Sequence, residues 1–264
     1  MKKLVTAACA LVAASAFAVE SANTVGYFDK ALANSEYTWT CPTFTGIGGQ
    51  AVSFTLGQLV PNDNFAGFED NIQFCDAEGN WEDQLTYVSA AFIEENEIEG
   101  VNPGWFALDD EELETPLNNT VVPFAKGFCA YSGYDNVAIR FAGEVPQVAT
   151  SVALANSEYT WMGNASVANL TLGQIVPNAN FAGFEDNIQF CDAAGDWEDQ
   201  LTYVSAAFIE ENEIEGVNPG WFALDDEELE TPLNSTPVAA GKAFCAYSGY
   251  DGVAITIPSP MPAN

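Results

Sequence analysis

Acidic side chains are the most abundant groups in this sequence that could do chemistry. They form four strings, at positions 94–99, 109–114, 210–215 and 225–230. Calcium is bound by about six to eight oxygen ligands, which such strings could supply. The candidate Ca²⁺ ligands are Asp109, Asp110, Glu112, Asp225, Asp226 and Glu228. Because no EF-hand spacing occurs, a solvated acidic coat is the favoured interpretation and calcium as a cofactor is the alternative.

The absence of histidine excludes several kinds of catalytic and metal-binding site. The chain has no histidine, 38 acidic residues, 6 basic residues and a formal net charge of −32. Ser-His-Asp and Cys-His catalysis and histidine-bound zinc are thereby excluded. Paired carboxylates could still serve a glycosidase, but any acidic protein supplies such pairs, so we expect no enzyme. Since phosphate contacts depend on Lys and Arg, we expect no nucleic-acid partner and no binding to an anionic membrane surface.

Four cysteines form two equally spaced pairs. Cys75 and Cys129 in the first half recur as Cys191 and Cys245 in the second, and each directly follows a phenylalanine. If the phenylalanines of neighbouring strands point into the core, both sulfurs of a pair lie on the opposite side. We therefore predict the disulfides Cys75–Cys129 and Cys191–Cys245, each worth about 4 kcal/mol from chain entropy, with free thiols as the alternative. No C-x-x-C pair occurs, which disfavours structural zinc.

Tryptophans supply the third candidate chemistry. The chain has six of them, at positions 39, 81 and 105 and again at 161, 197 and 221. Indole faces can stack on sugar rings, and Trp105 and Trp221 are the candidates for this carbohydrate-stacking role. The favoured interpretation is that the tryptophans cover the edge of a β core.

An internal repeat organises the elements that must position these groups. Residues 31–39 recur at 153–161, and residues 65–118 recur at 181–234 with only two differences. The first copy alone carries the Gly-rich stretch 41–50, which we interpret as a surface loop because loops tolerate insertions. Cys41 lies in this stretch, and we expect it to be a free thiol or to form an intermolecular disulfide. The predicted boundaries are a signal peptide at 1–18, repeat one at 19–145, a linker at 146–152 and repeat two at 153–264.

Both copies are predicted to be all-β. Residues 71–75 alternate polar and apolar, as a half-buried strand does, and Gly79 fits the left-handed position of a hairpin turn. The partner strand is predicted at 84–93, with a helix over 83–99 as the alternative because of its alanines and glutamates. Further strands at 105–108, 126–131 and 137–141 predict a β-sandwich or barrel in each copy.

The N-terminal segment predicts export. Lys2 and Lys3 precede an apolar stretch at 4–18 that ends in small residues, the pattern of a cleaved signal peptide. The apolar stretch is short for a membrane span, which needs about 20 residues. No other segment is long and apolar enough, so we expect an exported protein, secreted or on the cell surface, without a membrane span.

Several short motifs resemble a known repeat. They are Asn23–Tyr27 directly after the signal peptide, Leu56–Pro61, Asp76–Gly79, Pro103–Trp105, Gly127-Phe128 and Gly143–Val145. The series resembles a repeat of secreted proteins from the planctomycete, verrucomicrobia and lentisphaera group of bacteria. The second copy departs from it, with Thr256–Pro258 in place of Gly-Glu-Val. The resemblance implies an exported, β-rich protein, and it carries no active site with it.

The sequence therefore predicts an exported, acidic structural or interaction module of surface or adhesion type, without catalysis. Its expected partner is an extracellular protein or a glycan. The alternatives are a carbohydrate-binding or glycoside-processing protein and a calcium-dependent adhesion module.

Overall fold

The protein is all-β, as the sequence predicts. The computed structural model describes residues 25–47, 53–76, 78, 80–192 and 194–259. Strands far outnumber helices in these ranges. Of the described residues, 40% are strand and 8% are helix. The expected signal peptide at 1–18 and the turn residue Gly79 lie outside the described residues.

The two copies contain corresponding elements. Copy one consists of β1 (Val25–Ala31), β2 (Glu36–Thr40), β3 (Leu59–Pro61), β4 (Asn71–Phe74), β5 (Leu85–Val88), α1 (Ala90–Glu95), β6 (Gly104–Ala107), β7 (Phe128–Ser132) and β8 (Ala138–Glu144). Copy two consists of β9 (Thr150–Ala153), β10 (Glu158–Gly163), β11 (Leu170–Thr171), β12 (Val176–Pro177), β13 (Asn187–Cys191), β14 (Trp197–Val204), α2 (Ala206–Glu211), β15 (Gly220–Ala223), β16 (Pro237–Val238), β17 (Ala243–Ser248) and β18 (Ala254–Ile257). Strand β9 thus begins inside the segment 146–152 that was expected to be a linker.

Both copies form the same two antiparallel sheets. In copy one the five-stranded sheet has the order β2-β7-β4-β5-β6, and the three-stranded sheet has the order β1-β8-β3. Copy two repeats these orders as β10-β17-β13-β14-β15 and β9-β18-β12, and adds the two-stranded pair β11-β16. The edge strands β2 and β10 are equivalent in the repeat, and they are the strands at which the copies meet.

The core of each copy collects side chains from both of its sheets. In copy one, Ile72 and Phe128 come from the five-stranded sheet, while Leu59, Ile139 and Phe141 come from the three-stranded sheet. A corresponding cluster fills copy two. Because strand side chains alternate between faces, residues that neighbour these core positions must point to the opposite face of the five-stranded sheet. That outer face carries the tryptophans and cysteines described below.

The predicted partner strand at 84–93 is wrong in its second half. Strand β5 ends at Val88, and helix α1 follows at once. The Ser89 hydroxyl accepts a hydrogen bond from the backbone N–H of Phe92 at 3.1 Å and so caps the helix. Ala90 and Ala91 are strong helix formers, so local propensity decides this segment in the direction of the helical alternative.

Candidate functional site at the junction of the two copies

The two copies join through their equivalent edge strands. Thr40 at the end of β2 pairs with Lys242 of copy two, and Met162 of β10 pairs with Lys126 of copy one. Thr40 and Met162 occupy equivalent positions in the repeat, as do the two lysines. The contacts are therefore reciprocal, and the copies are related by an approximate two-fold axis through the junction.

Hydrogen bonds between the copies fix this arrangement. The Thr40 hydroxyl donates to the Gly241 carbonyl at 2.8 Å, and the Cys41 backbone N–H donates to the same carbonyl at 3.0 Å. In the opposite direction, the Gly127 N–H donates to the Trp161 carbonyl at 2.9 Å. Main-chain bonds of this kind satisfy groups that an open edge strand would leave unpaired.

Cys41 lies at the approximate two-fold axis, and the expectation that it sits in a surface loop is wrong. Its side chain is fully buried, and its equivalent in copy two is Gly163. A Cβ added to Gly163 would lie 2.7 Å from the Cys41 sulfur, so only one side chain fits there. Burial raises the pKa of the Cys41 thiol. Of the two alternatives expected for Cys41, the free thiol is observed. The intermolecular disulfide is contradicted, because a second chain cannot reach a sulfur buried inside the junction.

Four tryptophans gather at the junction, two from each copy. Trp39 stacks on Trp161 with ring centroids 4.2 Å apart and planes inclined by 14°. Trp81 lies 5.4 Å from Trp39, and Trp197 lies 5.4 Å from Trp161. We call these four residues the junction tryptophans. The stacked pair is largely covered, whereas 49% of Trp81 and 51% of Trp197 remain exposed.

The four paired cysteines lie directly beside the junction tryptophans. Each cysteine is the direct cross-strand neighbour of one tryptophan: Cys129 of Trp39, Cys245 of Trp161, Cys75 of Trp81 and Cys191 of Trp197. All four thiols are buried, and burial raises their pKa values to about 12. We call Cys75, Cys129, Cys191 and Cys245 the junction thiols.

The disulfides predicted within each copy are not formed, because the strand register opposes them. All four junction thiols are free. On β4 and β7, Cys129 lies opposite Gln73, so Cys75 is diagonal to Cys129 by two residues. Diagonal neighbours have side chains roughly 7 Å apart, whereas a disulfide needs Cβ atoms about 4 Å apart. Cys191 and Cys245 are offset in the same way. The shared face was predicted correctly, and the register was not.

A cleft of about 320 Å³ opens on the outer face of the five-stranded sheet of copy two. Its floor has two rows of cross-strand neighbours, one of which runs Trp161, Cys245, Gln189 and the other Tyr159, Tyr247, Asn187. Trp197 completes the lining. None of the seven lining residues is an acid or a base, although the chain carries a net charge of −32.

Polar groups of the cleft retain capacity for a ligand. The Gln189 amide nitrogen donates to the Glu198 carbonyl at 2.6 Å, which leaves its amide oxygen as an acceptor. The Asn187 side chain forms no hydrogen bond within the described part of the chain. In the neighbouring stack, the buried Trp39 Nε1–H lacks an acceptor among the described residues. The cleft therefore combines aromatic faces with an unused donor and acceptors.

Each copy also has a larger groove, and the chemistry of these two grooves differs from that of the cleft. The groove of copy one measures about 560 Å³ and that of copy two about 450 Å³. Both are lined mainly by aliphatic side chains, together with two acidic residues and one lysine: Glu82, Asp83 and Lys126 in copy one, and Glu198, Asp199 and Lys242 in copy two. Phe74 and Phe190, their aromatic members, belong to the cores. The grooves thus offer no exposed aromatic platform.

Trp105 and Trp221 are core residues, and the sugar-stacking role predicted for them is wrong. Both are completely buried. The Trp105 Nε1–H donates to the Leu59 carbonyl at 2.7 Å, and the Trp221 Nε1–H donates to the Ile175 carbonyl at 2.8 Å. An indole whose only donor is bonded and whose faces are enclosed presents nothing to a ligand.

The structure does not bring the candidate calcium ligands together. Among the described residues, no group of three or more acidic or cysteine side chains is arranged to hold a metal ion. Asp110 is instead committed to its own turn, where its carboxylate accepts from the backbone N–H groups of Glu114 and Thr115 at 3.2 and 2.9 Å. Asp226 does the same in copy two. The remaining four, Asp109, Glu112, Asp225 and Glu228, are exposed to solvent.

Basic residues concentrate at the junction. Lys126 donates to the Cys75 carbonyl, and Lys242 forms an ion pair with Glu198 at 3.0 Å while lying over the Phe190 ring. Lys30 is close enough to Cys41 and Lys242 for their charges to influence its pKa, which is lowered chiefly by burial. These positive charges offset part of the repulsion between two strongly acidic copies.

The junction defines an all-β tandem repeat with an uncharged aromatic cleft. Comparison of the chain with known protein families, with curated proteins and with solved structures yields no match. Within the described ranges, no helix has the length and hydrophobicity to cross a membrane. Sequence reasoning missed the role of Trp81 and Trp197. Both directly follow polar turns, but the buried Trp105 also follows a turn, at 102–104, so this local signal does not separate exposed from buried tryptophans.

Proposed function

We propose that this chain is an exported, non-catalytic interaction module of cell-surface or adhesion type, and that its ligand binds in the aromatic cleft at the copy junction. The observation that carries the proposal is the cleft itself, which gathers exposed aromatic rings and side-chain amides without any charge. Exposed aromatic surface of this kind is uncommon in an acidic soluble protein unless it binds something. The absence of histidine supports a function without catalysis.

The proposal includes a β-sandwich architecture for each copy and export of the chain. Each copy is a β-sandwich whose five-stranded and three-stranded sheets enclose one core, an arrangement supported by the mixed origin of the core side chains. The resemblance to the secreted planctomycete-type repeat and the predicted signal peptide support export. Under this proposal the cleft faces the extracellular medium.

Neutral carbohydrate is the ligand class that the cleft fits best. The ring faces of Trp197 and Tyr159, both about half exposed, can stack on the apolar faces of a sugar. The amides of Asn187 and Gln189 lie beside them and can bond hydroxyl groups. A sulfated or phosphorylated ligand would be repelled by the −32 charge of the chain.

A glycan array that contains neutral and sulfated members tests the proposal. We expect neutral glycans to bind and sulfated analogues to bind more weakly. Trp197→Ala should weaken binding about tenfold, which corresponds to roughly 1.4 kcal/mol of lost stacking. Trp81→Ala is the matched control, because Trp81 is equally exposed at the equivalent position but does not line the cleft.

Two results would overturn the assignment. The first is binding of sulfated glycans in preference to neutral ones. The second is an equal effect of Trp81→Ala and Trp197→Ala on the affinity for a bound glycan. If no glycan binds and an uncharged surface of another protein binds at the cleft instead, the ligand is a protein partner.

A further inference from the structure

The junction thiols are closer to partners in the other copy than the repeat pattern suggests. Cys75 of copy one belongs to a buried cluster whose other members, Trp161, Cys191 and Cys245, all come from copy two. Trp39 packs against the same cluster. The hairpin ends that carry Cys75 and Cys191 therefore reach across the junction toward the sheet of the opposite copy.

The hairpin of copy two that carries Cys191 also contacts copy one. The turn at Gly195, which follows Cys191, lies against the Tyr37 ring of copy one, and a Cβ at Gly195 would be 3.1 Å from that ring. Gly195 has a φ of +84°, a left-handed conformation that favours glycine. The turn thus brings the Cys191 hairpin against β2. Trp39 of β2 packs on the cluster that contains Cys191, and Trp39 lies opposite Cys129 of β7.

The electrostatic neighbours of the thiols agree with this geometry. After burial, the largest influence on the pKa of Cys129 is Cys191 of the other copy, and Cys75 of its own copy comes second. For Cys245 the order is Cys75 of the other copy and then Cys191 of its own. In both cases the thiol of the opposite copy acts more strongly than the diagonal thiol of the same sheet.

We infer that the junction thiols form two disulfides between the copies, Cys75–Cys245 and Cys129–Cys191. The bridges form when the exported chain meets a disulfide oxidant, such as an oxidised dithiol protein or oxidised glutathione. Each pair of thiols gives up two protons and two electrons as the S–S bond forms, and the oxidant takes them up as its disulfide becomes two thiols. The two bridges would covalently close the junction beside the Trp39–Trp161 stack.

A four-thiol metal site does not account for the same cluster. The described acidic and cysteine side chains include no group of three or more that is arranged around a metal ion. The inference depends on the junction geometry and on an oxidising environment, and it does not depend on which ligand the cleft binds.

Peptide mapping of the oxidised protein tests the pairing. The chain without residues 1–18 is unfolded, refolded with oxidised glutathione, alkylated, digested without reduction and analysed by mass spectrometry. The copies can be told apart, because Glu78/Ala194 and Asn80/Asp196 distinguish the peptides of Cys75 and Cys191, while Gly127/Ala243 distinguishes those of Cys129 and Cys245. We expect the two cross-copy peptides, and a fall in titratable thiols from five to one, which is Cys41.

Cys75→Ser makes the test decisive, with Cys41→Ser as the control. If the bridges join the copies, Cys75→Ser frees Cys245 and leaves Cys129–Cys191 intact. If they lie within each copy, the same variant frees Cys129 instead. Cys41→Ser should change neither bridge.

The inference is overturned by a Cys75–Cys129 or Cys191–Cys245 peptide, by four free junction thiols after oxidative refolding, or by a single metal ion bound to all four. Failure of glycan binding leaves it untouched, since the mapping has its own readout.

Discussion

Trp105→Ala should destabilise the protein severely, whereas Trp81→Ala should not. The Trp105 ring is completely buried among core side chains and packs edge-on against Phe65 and Tyr87. Truncation of a buried tryptophan removes apolar burial and leaves a cavity, which costs about 3–5 kcal/mol. The Leu59 carbonyl also loses the indole donor that bonds it at 2.7 Å. The expected loss is therefore at the upper end, about 4–5 kcal/mol.

Trp81 provides the contrast because it is half exposed and touches the stack only from outside. Its truncation should cost about 1 kcal/mol or less. Urea unfolding of the two variants and the parent, fitted with a common m-value, measures the difference directly. Trp105→Phe adds an intermediate step, since it keeps most of the burial and removes the hydrogen bond, and should cost about 1–2 kcal/mol.

Two outcomes would refute this reasoning. Equal losses of stability in Trp105→Ala and Trp81→Ala would mean that Trp105 is not a core residue. Loss of glycan affinity in Trp105→Phe without loss of stability would mean that the indole acts at a ligand after all.

Three further perturbations test the junction, the helix cap and the thiols. Gly163→Ala should lower stability by about 1–3 kcal/mol in thermal unfolding, because the new Cβ would lie 2.6 Å from the Lys242 carbonyl and 2.7 Å from the Cys41 sulfur; an unchanged melting temperature would contradict the close junction. Ser89→Ala should cost about 1 kcal/mol in urea unfolding, since the Phe92 N–H loses its acceptor, whereas Ser89→Asp should retain most of the stability. In the reduced protein, stability should fall as pH rises from about 9 toward about 12, because the unfolded thiols release protons near their ordinary pKa of 9.0 and the buried ones only near about 12; an oxidised sample with an equal loss in that window would show that the junction thiols are not its source.

Much of the fold can be predicted from local pattern. The alternation in residues 71–75, the punctuation by glycine and proline, and the repeat itself identify the strands, because these signals depend on neighbours in sequence. Helix α1 is harder to predict from sequence than the strands. Its segment carries both strand-like and helix-like residues, and the Ser89 cap, which depends on one hydrogen bond, decides where the strand ends.

The site could not be predicted in the same way, because it depends on register and on contact between the copies. A shared face for Cys75 and Cys129 follows from alternation, but a two-residue diagonal offset requires knowledge of which residues stand opposite each other. The burial of Trp105 and the exposure of Trp81 depend on tertiary packing rather than on their neighbours. The acidic strings, for which calcium was the alternative interpretation, show a related effect. Carboxylates that are adjacent in sequence diverge in space when one of them serves a turn, as Asp110 does.

Where near-identical copies pack across an approximate two-fold axis, a side chain is tolerated on the axis only if its equivalent leaves room for it. A residue there meets its own equivalent, and the available space is divided between two side chains. At this junction Cys41 fills the space and Gly163 leaves it open, and any Cβ on Gly163 would overlap the sulfur. Two cysteines at these positions would push the edge strands apart and separate the Trp39–Trp161 stack that adjoins the cleft. The divergence of Cys41 from Gly163, in copies that otherwise match closely, is therefore what the closed junction requires.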